Sequence, residues 1–66
     1  MTGDDLKRYR ILSHLTQQQL GEKLGLTGRS AGNTVQKWEY ESQPIPLKYI
    51  RQLSKILEVP IDKFIP

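Results

Sequence analysis

The side chains able to do covalent chemistry are few here and poorly placed for it. His14 is the only histidine and there is no cysteine, which removes thiol catalysis and cysteine-based zinc sites. His14 lies between two helical stretches with no carboxylate partner close in sequence. It is read as an exposed or capping residue, with a phosphate contact as the minor alternative. The close carboxylate pairs, Asp4–Asp5 and Glu39/Glu41, suit helix-dipole complement and structural ion pairing better than acid–base catalysis or metal binding. The segment GLTGRSAG, residues 25–32, is glycine-rich but lacks the Walker lysine and the preceding strand of a phosphate-cradling loop. No enzyme is expected, and neither a cofactor nor a metal. What remains is non-covalent: amide, hydroxyl and cationic side chains gathered between Arg29 and Tyr40.

Size and charge narrow the partners of such a surface. A chain of 66 residues makes one small domain, in which folding buries only about 60% of the unfolded surface. Ten Lys and Arg against seven Asp and Glu leave +3. That balance mildly favours a polyanionic partner, and it is also ordinary for a solvated surface. No apolar run approaches the roughly 18 residues a membrane span needs, and MTGDDLKRYR has no signal-peptide core. A soluble cytoplasmic chain with no membrane partner is therefore expected.

The elements that must position these side chains read as helices. Leu6, Tyr9 and Ile11 or Leu12 recur at near-helical spacing over Asp4–Ser13, with Asp4 and Asp5 at the positive end of the dipole and Lys7, Arg8 and Arg10 on the other faces. Thr16 and Gln19 then form a capping box, with Leu15 and Leu20 as its hydrophobic staple, so a second helix begins at Gln17. Leu20 and Leu24 are its apolar pair, and Gly25 supplies a left-handed stop. Gly28 to Thr34 are weak helix formers, after which Val35 and Trp38 mark a third helix ending near Tyr40. Pro44 and Pro46 bracket a fourth start. Leu47, Ile50, Leu53, Ile56 and Leu57 form its inner face, and Lys48, Arg51, Gln52 and Lys55 its outer one. Val59–Pro60 ends it, and a fifth short helix follows over Ile61–Ile65 with Ile61, Phe64 and Ile65 inward. The pattern predicts an all-α bundle of five short helices. Gly21, one turn before Gly25, allows the next helix to approach closely, as a helix-turn-helix requires and as a plain αα-hairpin also tolerates.

These residues resemble a known family. TQQQLGEKLGLT, Thr16 to Thr27, is similar to the T-Q-x-x-L-A-x-x-x-G-V-S core of the XRE, or Cro/phage-repressor type, helix-turn-helix proteins. VQKWE, Val35 to Glu39, resembles their I-S-x-x-E, and Ile50, Leu53, Ser54, Leu57 and Val59 resemble L-x-x-I-A-x-x-L-x-V. The resemblance covers nearly the whole chain. It implies a five-helix lambda-repressor-like DNA-binding domain over residues 1–66, with its helix-turn-helix at about 16–40. It also implies a homodimer on a double-stranded operator of two-fold character, in the cytoplasm of a bacterial or phage-infected cell. Two features depart from the pattern. Seven residues separate Thr27 from Val35 where three are usual, so about four are extra. Glu41 stands where a glycine often follows the motif's glutamate.

With Val35 and Trp38 as the buried side, the opposite face of the third helix carries Asn33, Gln36 or Lys37, and Tyr40. The family pattern carried back from Val35 puts Asn33 and Thr34 at the end that reaches base edges. Asn33 can bond adenine in bidentate fashion, Lys37 guanine or a phosphate, and Thr34 a thymine methyl. Arg29 is either a solvated loop arginine or a DNA contact, and Arg29–Ala31 are either loop or an added helical turn. Gly28 and Gly32 either bring the backbone close to the duplex or fold a longer turn. By the resemblance Gln17 grips phosphate, with Gln18 beside it; Arg10, Ser42, Gln43 and Lys48 are further phosphate candidates, and Tyr40 divides between core packing and stacking on sugar or phosphate. Glu39 is structural, with Arg10 its partner, and Trp38 is core. Ile45, Ile61, Lys63 and Phe64 are candidates for the dimer surface. The expected function is that of a sequence-specific DNA-binding transcriptional regulator, repressor or Cro-like. A protein–protein adaptor on the same scaffold and an antitoxin or controller-type regulator are the alternatives. A compact full-length regulator and the DNA-binding part of a longer repressor are equally compatible with the sequence.

Overall fold

A computed structural model describes residues 2–41 and 43–64. Among them are four α-helices, α1 (Gly3–Leu12), α2 (Gln17–Lys23), α3 (Arg29–Glu39) and α4 (Leu47–Leu57). A single 3-10 turn, Ile61–Lys63, stands where the fifth helix was expected. Lys63 and Phe64 donate to the carbonyls of Pro60 and Ile61, each at 3.0 Å, so what closes there is one tight turn rather than an α-helix. Ile65, the expected end of that helix, lies outside the described residues.

Helix α1 starts one residue before the expected Asp4. Thr2 and Asp5 form a capping box: the Asp5 amide donates to Thr2 Oγ1 at 3.2 Å and the Thr2 amide to Asp5 Oδ2 at 3.1 Å. The Thr2 backbone N–H, and then its side chain, hold the Asp5 carboxyl below the usual carboxylate range. The inner stripe of α1 is Gly3, Leu6 and Arg10. Both Ile11 and Leu12, either of which was expected inward, are exposed, because the arginine takes the inward position a turn beyond Leu6.

Helix α2 follows its punctuation closely. Thr16 Oγ1 accepts from the Gln19 amide at 3.0 Å, and Gln19 Oε1 accepts from the Thr16 amide at 2.9 Å. At the other end Gly25 adopts φ +89°. Leu26 N–H donates to Gly21 O and Gly25 N–H to Glu22 O, both at 3.0 Å, which is the paired bonding of a Schellman ending.

Of the two readings open for Arg29–Ala31, loop or added helical turn, the structure has the turn: α3 opens at Arg29, one residue past Gly28, which has φ +62° and ψ −156° and so a backbone that suits glycine alone. The four extra residues are close to one turn of about 3.6. An insertion of that length preserves the facing of the helix, so Val35 and Trp38 still point inward and Ala31 joins them, all three buried. Helix α2 crosses α3 at close range here. A Cβ on Gly21 would lie 2.3 Å from the Ala31 carbonyl oxygen.

Leu6, Leu20, Leu24, Val35, Trp38, Leu53, Leu57, Val59 and Phe64 form one core. Leu47, expected on the inner face of α4, is 58% exposed, whereas Leu53 and Leu57 deeper in that helix are buried. Trp38 of α3 meets Tyr49 of α4 with ring centroids 5.4 Å apart.

One buried ion pair crosses the core's edge. Arg10 Nε donates to Glu39 Oε2 at 2.6 Å and Nη2 to Oε1 at 3.3 Å, while Nη1 reaches the Leu15 carbonyl at 2.8 Å. Gln17 Nε2 donates to Glu39 Oε1 at 3.1 Å. The pairing foreseen for Glu39 is thus present, and it gathers α1, the α1–α2 connection, α2 and α3 around one carboxylate. No buried side-chain polar atom among the described residues lacks a partner.

Two substitutions test this packing. Gly21→Ala forces a Cβ against backbone that no rotamer can clear, and should cost about 2 kcal/mol, a fall of roughly 10 °C in Tm. Glu39→Ala leaves the Arg10 guanidinium buried without its carboxylate and should cost about 3 kcal/mol, while Arg10→Met combined with Glu39→Leu should recover most of that loss. Thermal unfolding followed by circular dichroism measures both.

Candidate nucleic-acid interface

The first turn of α2 and the outer face of α3 border a shallow groove of about 430 Å³, lined by Thr16, Gln17, Gln18, Arg29, Gly32, Asn33 and Gln36. Arg29, Asn33 and Gln36 fall at i, i+4 and i+7, one stripe of the helix, opposite the buried Ala31, Val35 and Trp38. Arg29 and Asn33 are exposed and Gln36 is half-buried. The added turn therefore does more than lengthen α3: it sets a cation at the open end of the polar stripe.

The other base-reading candidates sit to either side. Lys37 is exposed on one flank, and Thr34 is half-buried. Tyr40 follows the last turn of α3 and is 73% exposed.

The two glutamines of α2 are held more firmly than the sequence suggests. Gln17 Nε2 is bound to Glu39, as described above. Gln18 Nε2 donates to the Gly28 carbonyl at 2.8 Å and lies 3.3 Å from Glu22 Oε2, and its Oε1 accepts from the Gly32 amide at 3.1 Å. Gln18, a phosphate candidate beside Gln17, forms a strut between α2 and the beginning of α3. Nothing in the family pattern marks that role. The local signal is a helix opening on glycine, which has no side chain to cap its own first turn. Gly32, offered in sequence as a point of close backbone approach, lies against this strut: a Cβ there would stand 3.0 Å from Gln18 Oε1. The amides of Gln17 and Gln18, in the first turn of α2, have no acceptor within their helix.

The remaining phosphate candidates are scattered. Lys48 Nζ rests 4.9 Å from the centroid of the Tyr49 ring. Gln43 lines a different cleft, of about 300 Å³, with Thr2, Gly3, Trp38, Glu41, Pro44 and Ile45. Ser42 lies outside the described residues. Arg10 is committed to Glu39 and is buried, so its alternative role at phosphate has no geometric support. Of the dimer candidates, Phe64 is part of the core and Ile45 packs against it, while Ile61 and Lys63 are exposed.

Among the described residues no helix is long and apolar enough to cross a membrane, and no group of three or more His, Asp or Glu residues could hold a metal ion. Neither a curated protein nor a solved structure gives a significant match to the chain. A helix-turn-helix family model, HTH_3, matches residues 6–64, which takes in α2, the turn, α3 and the core around them. The chain belongs to the XRE-type helix-turn-helix family of DNA-binding regulators.

Proposed function

We propose that the chain is a sequence-specific transcriptional regulator of the repressor or Cro sort, which lays α3 in the major groove of an operator and binds as a homodimer. The observation that carries this reading is the groove itself. It brings the start of α2 against a polar i, i+4, i+7 stripe on α3, the arrangement in which one element holds the backbone and the other meets base edges. Asn33, at the centre of the stripe, reads adenine through its amide; Arg29 and Gln36 read or flank neighbouring pairs, and Arg or Lys suits guanine O6 and N7. Lys37 and Thr34 make lateral contacts. Gln17, with the first-turn amides of α2, holds a phosphate, and Lys48 and Tyr40 contribute further backbone contacts. Exposed Ile61 and Lys63 belong to the dimer surface, Phe64 being spent on the core. Apart from Tyr40, the outward stripe of α3 offers no large apolar side chain, and this argues against an adaptor that would bury that face on another protein.

Selection of bound sites from random duplex DNA should return a two-fold consensus, whose half-site spacing reports the dimer. Asn33→Ala should weaken binding by roughly 1–3 kcal/mol and relax preference at one base pair, whereas Gln17→Ala should weaken all sequences alike. An Asn33→Ala profile identical to that of the parent would sink the assigned register of α3. Affinity should also fall steeply between 50 and 200 mM salt, by about an order of magnitude or more, as phosphate contacts require; titration by fluorescence anisotropy measures it.

A further inference from the structure

The carboxamide of Gln18 bridges the two groups that close the first α-helical bond of α3. In a regular helix the Gly32 N–H would donate to the Gly28 carbonyl. Here the Gly32 N–H donates to Gln18 Oε1 at 3.1 Å, and the Gly28 carbonyl accepts from Gln18 Nε2 at 2.8 Å. A side-chain amide has one acceptor and one donor at nearly the spacing of a peptide group, so it can hold both ends of that bond at once. The helix needs such help. Gly28 makes no side-chain cap, Gly32 is a poor helix former in the first turn, and a local side-chain bond runs from Ser30 Oγ to the Thr27 carbonyl at 2.7 Å. Glycine at 32 also leaves the space in which the carboxamide lies, since a Cβ would press on Oε1 from 3.0 Å.

We propose that Gln18 is a positioning residue for Arg29: by clamping Gly28 and Gly32 it keeps the added turn of α3 helical and holds the Arg29 side chain on the stripe with Asn33 and Gln36. The proposal rests on the DNA-reading function above and extends it. A residue with no base contact of its own sets the specificity contributed by the added turn. Arg29 is the first residue of the helix, and its place in the groove depends on that one turn staying wound. Asn33, a turn further in, lies two residues from Val35, whose buried side chain anchors that part of the backbone independently. Loss of the clamp should therefore act on Arg29 and spare Asn33.

The test compares the parent protein with Arg29→Ala, Gln18→Ala, their combination, and Gln18→Met, which keeps bulk but loses both hydrogen bonds. For each, the base-substitution profile on the selected operator is measured, together with amide exchange in the DNA-free protein. Arg29→Ala should lower preference at one base pair about tenfold. Gln18→Ala and Gln18→Met should lower it at the same base pair, and the combination should lose no more than Arg29→Ala alone. The Asn33→Ala effect should persist undiminished in the Gln18→Ala background. In the free protein the amides of residues 30–32 should exchange roughly five- to tenfold faster in both Gln18 variants, the rest of the chain being unchanged. A Gln18→Ala protein that loses affinity equally for all sequences, with the Arg29 effect intact, overturns the proposal and returns Gln18 to phosphate binding. Unchanged exchange at residues 30–32 overturns it too, as does an Arg29→Ala profile that matches the parent. A parent protein that enriches no consensus brings down the DNA-reading function and the proposal together, whereas a consensus that answers to Asn33→Ala and not to Gln18→Ala overturns the proposal alone.

Discussion

The rest of the structure depends on the Glu39 carboxylate and the groups gathered around it. Arg10 meets it through two nitrogens, and Gln17 through one. The third guanidinium nitrogen fixes the chain at Leu15, just before the cap of α2. A buried charge pair of this kind contributes little net stability, because desolvation offsets much of the attraction. Its effect is on geometry. The far end of α3, the beginning of α2 and the last turn of α1 are held at fixed separation, so the angle at which α3 leaves the core is set at its C-terminal end. Gly21 then determines how closely α2 and α3 cross. The polar stripe on α3 and the first turn of α2 line one groove because both restraints hold together.

The added turn is accommodated within this frame at its free end. Four residues rotate a helix by about 400°, close to one full turn, so side chains beyond the insertion keep their facing. Ala31 now lies over Gly21, and the family pattern has alanine at the position of Gly21. The exchange is physically sensible: with the Ala31 backbone lying across α2, no Cβ fits beneath it.

Much of this was legible from residue types and spacing. The capping box of Thr16 and Gln19, the Gly25 ending and the inward Val35 and Trp38 are local or periodic signals, and each element stands where its signal put it. The pairing of Arg10 with Glu39 was legible only through the family pattern, since the two residues lie far apart in sequence. Three features were not legible. Propensity alone left Arg29–Ala31 open between loop and an added turn, because the contacts that keep it wound, burial of Ala31 and the Gln18 bonds, are tertiary. The outward turn of Ile11, Leu12 and Leu47 was hidden because a stripe of apolar residues does not say which of its edges faces water. Ile61 to Phe64 show an inward aromatic at helical spacing, and a 3-10 turn also delivers Phe64 to the core.

The two ends of α3 are therefore built differently, and this bears on how such a helix can vary. Its C-terminal half is fixed by a buried ion pair, Trp38 against Tyr49, and Val35 in the core. Its first turn is held by the buried Ala31, the Ser30 bond to Thr27, and a side chain from the neighbouring helix bonded to backbone at two glycines. A substitution at Arg29, on the outward side of that turn, leaves the clamp untouched, because the clamp engages main-chain groups and no side chain of α3. A new side chain there changes what the groove presents without changing how the turn is held. On the proposed reading, the backbone clamp separates what the added turn presents to DNA from how that turn folds.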